Sequence, residues 1–277
     1  MNRTSLITLG LSLAACSSSP TQSTTSAPTT ADYDDAAQTI AASTVTGTGN
    51  GASGGSSDTG DLSFGDVLVF RDAVSLARGR LPLGFLRDTN GHCHGNRMGV
   101  NQDFTIACKD ASGAAQAKCD STTDSATVTV MFKGDIQTPN LTSSVDREAN
   151  FTITGLQSAT AQFDGDSSFS LDTSLTSVFH QGAMSTLTFD ATASYKAITI
   201  TTADRQVTGG TANFEVKAHR TVTGTGSGSG SDNHDVDKSF DVNAALTFNA
   251  DKTATLVLDG MHTFTIDLTT GKVTKVN

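Results

Sequence analysis

Two histidines and a cysteine lie together in a glycine-flanked stretch, Gly91-His92-Cys93-His94-Gly95. Imidazole nitrogens and a thiolate are good ligands for zinc and other borderline or soft metal ions. In an extended strand His92 and His94 share one face while Cys93 points away, so a three-ligand site would need a loop, which the flanking glycines allow. Closed structural sites need four ligands, and no second cluster supplies the rest unless another histidine folds alongside. The stretch is a weak metal candidate, and we favour a solvated loop with incidental histidines.

Acidic loops are candidates for a calcium site. Residues 164–166 and 232–237 are rich in aspartate, and calcium is bound by several carboxylates that converge at fixed spacing. Neither loop has Gly at position six with Glu at position twelve, and aspartate is a normal constituent of hairpin turns. We therefore favour ordinary acidic turns.

A basic stretch interrupts this acidic chain. It comprises Arg71, Arg78, Arg80, Arg87 and Arg97. Such arginines could bind an anionic lipid or polysaccharide group in bidentate fashion. No aromatic platform accompanies them, and a charge near a helix C-terminus, such as that of Arg78, is favoured there by the helix dipole. A solvated helix face is the preferred interpretation.

Composition limits the class of protein. The chain has 277 residues, of which 36% are hydrophobic and 17% charged, with 18 basic and 28 acidic side chains and a formal net charge of -10. This balance argues against a protein that binds nucleic acid through phosphate contacts. A low charged fraction with abundant Ser and Thr is typical of disordered chains, but apolar residues recur with strand periodicity from about Val128 onwards. Most of the chain is expected to fold.

The N-terminus has the pattern of a secretory signal. Arg3 supplies a basic start, residues 6–15 form an uncharged run, and small residues precede Cys16. The run is too short to span a bilayer. Its end, Leu13-Ala14-Ala15-Cys16, resembles the lipobox of bacterial lipoproteins.

This resemblance implies a location. In lipoproteins the cysteine is diacylated and the preceding peptide is removed, so Cys16 would carry two or three acyl chains, enough for stable anchoring. Ser17 follows the cysteine, and the sorting rule that the motif implies then favours the outer membrane. An ordinary signal peptide, cut elsewhere, is the alternative. Beyond these residues the chain resembles the many envelope lipoproteins of uncharacterised activity, which implies no mechanism.

Residues 16–60 are predicted to form a tether. Residues 17–30 and 46–60 are rich in Ser, Thr and Gly without apolar periodicity, which is typical of flexible spacers. Between them, Asp32 could cap a short helix. Its apolar face would consist of Tyr33, Ala36, Ala37, Ile40 and Ala41.

Three cysteines remain after Cys16, in what would be an oxidising compartment. Cys108 and Cys119 flank a turn-like stretch at residues 110–113, so a hairpin could bring them together, and closing so small a loop would stabilise the fold by roughly 3 kcal/mol. We predict this disulfide. Pairing of Cys93 with Cys108 is the main rival, since sequence alone does not settle connectivity.

Residues 61–277 are predicted to form an antiparallel β domain. Its first element is an amphipathic helix at about residues 64–78, with Ser63 and Asp66 as a capping box. The stripe Val67, Phe70, Val74 and Ala77 would pack on a sheet. About ten strands follow with alternating apolar and polar residues and hairpin turns between them. The fold class is mainly β: an antiparallel meander sheet, curled or barrel-like, with one packed amphipathic helix.

Site chemistry is sparse, so the predicted function rests on location. Neither a nucleophile nor a carboxylate pair has a recognisable catalytic context. We expect no enzyme and no cofactor, but an outer-membrane-anchored lipoprotein whose soluble β domain is a structural or interaction module. Its partners would be the membrane, through Cys16, and an envelope protein or polysaccharide. The alternative is a lipocalin-like sheet enclosing an apolar ligand, which an unfilled apolar cavity would reveal. An envelope enzyme would instead show converging polar groups with displaced pKa values.

Overall fold

The computed structural model describes residues 27–44, 65–88, 91–97, 99–138, 141–176, 184–223 and 236–276. Over these residues the chain forms two helices and one sheet of thirteen strands. The helices are α1 (Thr30–Thr44) and α2 (Asp66–Ala77). The strands are β1 (Phe85–Arg87), β2 (Cys93–Arg97), β3 (Val100–Asp110), β4 (Ala115–Gln116), β5 (Thr123–Thr138), β6 (Leu141–Thr154), β7 (Thr160–Thr176), β8 (Met184–Thr201), β9 (Val207–Thr223), β10 (Val236–Phe248), β11 (Thr253–Leu258), β12 (His262–Asp267) and β13 (Val273–Lys275).

The strands form an antiparallel meander. Their order in the sheet is their order in the chain, except that β4 pairs beside β3 and lies off the main path. Every pairing is antiparallel, as hairpin connections require. The sheet is open rather than closed into a barrel: in the described residues β1 pairs only with β2, and β13 only with β12. The predicted meander is confirmed.

Alternation gives the sheet one apolar and one polar face. In β10 the buried positions are Phe240, Val242, Ala244, Leu246 and Phe248. The intervening positions 241, 243, 245 and 247 are exposed. Because successive side chains of a strand point to opposite faces, the same pattern in neighbouring strands separates a hydrophobic core from a solvated surface. We call these two sides the apolar face and the polar face.

Helix α2 packs on the apolar face through the predicted stripe. Phe70 lies edge-on to Phe151 and Tyr195, with ring centroids 5.3 and 5.5 Å apart. Val67, Val74 and Ala77 are also buried. The stripe is confirmed.

The two ends of α2 are fixed by backbone chemistry. The N-cap is Gly65, without a side-chain cap hydrogen bond, so the predicted capping box of Ser63 and Asp66 is wrong; Ser63 itself lies outside the described residues. At the other end the N–H groups of Gly79 and Arg80 donate to the carbonyls of Leu76 and Ser75 at 3.0 and 2.8 Å, which is a Schellman motif. Gly79 has φ of 75°, and a Cβ there would lie 2.7 Å from the Cys119 carbonyl oxygen. Glycine is therefore required at that position.

Helix α1 packs beside α2 and contacts strands β10 to β13. Its predicted apolar face, Tyr33, Ala36, Ala37, Ile40 and Ala41, is buried. The helix thus belongs to the same hydrophobic core as the sheet, although it lies within the stretch predicted as a tether. Residues 17–26 and 46–60 of that stretch lie outside the described residues.

The predicted disulfide joins Cys108 of β3 to Cys119, with their Cα atoms 5.4 Å apart. The Cys108 sulfur lies 3.8 Å from the carbonyl oxygen of Ala77, at the end of α2. Cys93 is a free, buried thiol, so the rival pairing of Cys93 with Cys108 is not formed. The bond therefore ties the β3–β4 hairpin beneath the C-terminus of α2.

In the described part of the chain, every helix is too short or too polar to cross a membrane.

Candidate functional site

The predicted metal cluster is divided between the two faces of the sheet. Cys93 opens β2 and is 1% exposed, whereas His94 is exposed. The Cys93 sulfur accepts a hydrogen bond from the Arg87 Nε at 3.3 Å, and the His92 Nδ1 lies 3.8 Å from a carboxylate oxygen of Asp103. Over the described residues, no group of three His, Cys, Asp or Glu side chains is placed to hold a metal ion. Cys93 and His94 point to opposite faces, as predicted for an extended strand.

Other predicted site residues have separate locations. Cys16 lies outside the described residues, and so do residues 232–235 of the acidic loop 232–237. Asp164 lies in β7, where its carboxylate accepts the Ala197 N–H at 2.9 Å. Ala197 has a φ of 52° at an irregularity in the pairing of β8 with β9. Asp164 therefore stabilises this irregular point of the sheet. The Arg78 guanidinium donates to the Thr202 carbonyl at 3.1 Å and connects α2 to the β8–β9 turn.

The polar face carries ordered rows of charged and hydroxyl side chains across β5 to β10. One row consists of Lys133, Asp146, Ser170, Asp190, Lys217 and Asp241, each opposite the next in register. Lys133 and Asp146 form an ion pair of 3.0 Å, and the Ser170 hydroxyl donates to Asp190 at 2.6 Å. These cross-strand contacts fix some of the charges and leave others available.

Two adjoining grooves cross this face. The larger, of about 690 Å³, is lined by four carboxylates and two lysines, namely Asp146, Asp172, Asp190, Glu215, Lys133 and Lys217. The smaller, of about 440 Å³, adds Glu148 and Asp166. In the described part of the chain, Glu148, Asp166, Asp172 and Glu215 form no ion pair. The grooves therefore present an excess of unpaired negative charge.

A buried polar cluster lies on the opposite, apolar face. The Arg147 guanidinium, in β6, pairs with Asp66 at the start of α2, and both side chains are 1% exposed. The Tyr195 hydroxyl donates to the other Asp66 oxygen at 2.7 Å, and Arg147 reaches the Ser167 hydroxyl at 3.4 Å. The cluster joins one helix to three strands.

Burial governs the proton equilibria of this cluster. Burial raises the pKa of Tyr195, against the opposing effects of the Arg147 charge and the Ser167 hydroxyl. Burial also lowers the pKa of Arg147, although the negative charge that Tyr195 can carry opposes this. Asp66 is favoured at the positive end of α2. We interpret the cluster as a structural element, because its ion pair and hydrogen bonds link α2 to three strands inside the core.

Sequence reasoning missed this cluster, although a signal was present. Arg147 shares the odd-numbered phase of Val145, Ala149, Phe151 and Ile153, which are all buried. A charged residue in phase with an apolar run points into the core. Its partner, in a helix 81 positions earlier in the chain, has no local signal.

A serine, a histidine and an aspartate meet on the polar face. The His219 Nδ1 lies 2.8 Å from the Ser239 hydroxyl, and its Nε2 lies 3.5 Å from Asp237. These are the residue types of a catalytic triad. However, the Asp237 side chain is 69% exposed, and water screens a carboxylate of that kind from the histidine it would have to orient. The arrangement is that of a solvated surface cluster.

Both helices occupy the apolar face, where the ligand of a lipocalin-like sheet would lie. Ile40, Val69, Phe70 and Leu76 are each 0% exposed. These side chains fill the space between the helices and the sheet, and the two grooves open on the polar face instead.

None of the protein-family models, curated proteins or solved structures compared with this chain matches it. Its function must be inferred from its own residues and their geometry.

Proposed function

We propose that this protein is a lipoprotein anchored in the outer membrane through acylated Cys16, and that its β domain is a non-catalytic interaction module. The lipobox-like residues 13–16 support the anchor. The polar face carries the interaction part of the proposal. The sheet displays unpaired carboxylates in two adjoining grooves, while helices α1 and α2 pack on the opposite face.

The chemistry of the grooves favours a cationic segment of an envelope protein as partner. Lysine and arginine side chains bind carboxylates through charge-assisted hydrogen bonds, and complementary charge accelerates encounter. A polysaccharide is less well matched, because Phe169, the one aromatic residue among the described residues that line the grooves, is 7% exposed and offers no platform to a sugar ring.

The anchor is tested by Cys16→Ala. Loss of the acylated thiol should move the protein from the membrane fraction to the aqueous fraction and abolish incorporation of labelled palmitate. Cys93→Ala is the matched control, because it removes a cysteine and leaves position 16 intact. Equal incorporation of labelled palmitate by the wild-type and Cys16→Ala proteins, or none by either, would contradict the anchor.

The docking face is tested with a fluorescent decalysine peptide as a minimal cationic segment. The variant E148Q/D172N/E215Q should bind it at least about tenfold more weakly than wild type, because three charges in the grooves are lost. The control D34N/D204N/D251N changes the net charge equally but away from the grooves. Equal loss in both variants, or retained binding in the first, would contradict docking at this face. Binding of an anionic or neutral polysaccharide in place of decalysine would contradict the choice of partner.

The absence of catalysis is tested at Ser239. A fluorophosphonate probe, which labels activated serines, should not modify the protein at neutral pH. Labelling that Ser239→Ala or His219→Ala abolishes would overturn the non-catalytic assignment.

A further inference from the structure

The segment between α2 and β2 displays apolar side chains to water. Leu83 is 96% exposed, Leu86 67% and Leu81 48%. We call residues 80–87, Arg80-Leu81-Pro82-Leu83-Gly84-Phe85-Leu86-Arg87, the leucine tip. Other large exposed apolar residues, such as Met131 and Met261, are scattered singly along the chain. Isolated exposed apolar residues need no explanation, but three within six positions mark a contact surface.

The leucine tip is held in place at both ends. Before it, the Schellman motif ends α2, with the Arg80 N–H bonded to Ser75. Within it, the Phe85 N–H donates to the Pro82 carbonyl at 3.1 Å. Phe85 is buried, and its ring lies 5.6 Å from that of Phe104 in β3. The leucines are therefore displayed by an anchored turn.

The charge of the leucine tip is opposite to that of the whole protein. Positions 78–87 contain three arginines and no acidic residue, in a chain of net charge -10. Arg80 is exposed and Arg87 is half-buried. Of the two arginines in the tip, Arg80 is thus the one free to bind an external anion. It lies beside leucines whose transfer from water to an apolar environment is favourable.

A second copy of the chain is a poor occupant of this surface. Three leucines cover far less than the roughly 800 Å² per partner of a stable protein interface. The edge strand β1 has only three residues, and short edge strands resist pairing with another sheet. A bilayer requires neither a large nor a shape-matched surface, and it supplies acyl chains and headgroups together.

We propose that the leucine tip inserts into the interfacial region of a bilayer with anionic headgroups, with Arg80 at the phosphate level. This inference rests on the proposed function for its choice of a membrane, and it adds a second contact to the anchor at Cys16. Two contacts would hold the β domain against the bilayer surface at a defined edge, with the leucines beneath the headgroups.

The test uses the chain from residue 16 with Cys16→Ala, so that no acyl chain contributes. The protein contains no tryptophan, which makes Leu83→Trp a single fluorophore in the leucine tip. Its emission should shift to the blue on mixing with phosphatidylethanolamine/phosphatidylglycerol 3:1 vesicles. Met261→Trp is the matched control at an exposed position elsewhere, and its emission should not shift.

Affinity is measured by vesicle flotation of the same Cys16→Ala protein. The variant L81S/L83S/L86S should bind at least about tenfold more weakly, since each leucine contributes apolar transfer free energy. Arg80→Gln should weaken binding to these vesicles and reduce its salt dependence. The control M131S/M261S/V276S removes three exposed apolar side chains elsewhere and should bind as wild type does.

Equal flotation of the triple-leucine variant and wild type would overturn the inference. So would wild-type dimers in sedimentation velocity that this variant abolishes, because the occupant would then be a second copy. Neither result would affect the anchor, which is measured separately by palmitate incorporation at Cys16.

Discussion

Helices α1 and α2 lie on the same apolar face but are held there in different ways. An ion pair of α2 lies inside the core, where Asp66 and Arg147 are each 1% exposed. The polar contacts of α1 lie at its N-terminal turns, where the Asp32 side chain is 6% exposed but those of Asp35 and Asp34 are 42% and 44% exposed. They are the ion pairs Asp32–Lys238, Asp35–Arg220 and Asp34–Lys275 and the hydrogen bond from Tyr33 to Asp259.

This difference separates large energetic effects from small ones. Removing one partner of a buried pair leaves an uncompensated charge in a medium that cannot solvate it, whereas an exposed pair is solvated and screened after a partner is lost. We therefore expect α2 to depend on its buried ion pair. Helix α1 should depend mainly on its apolar stripe and on the largely buried pair Asp32–Lys238, with the exposed pairs of Asp34 and Asp35 selecting how it lies on the sheet.

Breaking the α2 pair should give the largest effect. Arg147→Leu should lower the free energy of unfolding by about 3–5 kcal/mol, because Asp66 remains buried and unpaired. Urea denaturation followed by circular dichroism measures this. The double variant D66L/R147L should recover much of the loss, since neither charge remains. Arg220→Leu, at the partly exposed pair of α1, is the matched control and should cost less than about 1 kcal/mol. Equal losses for Arg147→Leu and Arg220→Leu would contradict the comparison.

Removing the disulfide should have the next largest effect. The bond closes a separation of 11 residues beneath the end of α2, and C108A/C119A should lower the free energy of unfolding by about 3 kcal/mol. The loss should appear in the wild type on reduction and be absent when C108A/C119A is reduced. Equal loss of stability on reduction of both proteins would show that the effect of reduction does not come from the Cys108–Cys119 bond.

Some parts of this contrast could be predicted from the sequence, and other parts could not. The apolar stripes of both helices and the alternation of β10 were readable, because helix and strand periods are local properties. The strands before Val128 were not predicted: β1, β2 and β4 are short, and β3 carries Gln102 at a buried position between Val100 and Phe104. The alternation there is too brief or too mixed to recognise.

Long-range placement was beyond the sequence. A flexible-looking linker follows α1, and its composition gives no sign that Ile40 is buried in the core of the sheet. The same holds for the grooves. Asp172 and Glu215 line one groove because of the pairing register of β6 through β9. The alternation of apolar residues indicates which face these side chains occupy but not which residues lie opposite each other.

Protonation of two carboxylates of α1 at low pH should have opposite effects on the stability of the fold. Burial alone would raise the pKa of Asp32, but hydrogen bonds from Lys238 and Thr29 outweigh it and hold the pKa below its ordinary value of 3.8. This contribution is fully present above the unfolded pKa and is lost as the pH falls through the folded pKa. For Asp35, burial dominates over Arg220 and raises the pKa, so protonation as the pH falls through that raised value favours the folded state.

The variants Asp32→Asn and Asp35→Asn test this contrast. Asp32→Asn should flatten the loss of stability below about pH 4, because its protonation no longer opposes folding. Asp35→Asn should steepen the same loss relative to wild type, because the favourable protonation has been removed. Free energies of unfolding from urea titrations between pH 3 and 7 provide the curves. Shifts of the same sign in both variants would contradict the assignment.

The outermost pair of α1 should have the smallest effect. Lys275 and Asp34 lie 3.1 Å apart, with side chains 40% and 44% exposed, so Asp34→Asn should change the free energy of unfolding by about 0–1 kcal/mol. Because such a pair is screened, any effect should shrink as salt rises from 50 to 500 mM, whereas the cost of Arg147→Leu should not. A double-mutant cycle with Lys275→Gln isolates the pair from other consequences of each change. A coupling above about 2 kcal/mol that survives high salt would mean that α1 depends on ion pairs in the way that α2 does, and the distinction between the two helices would fail.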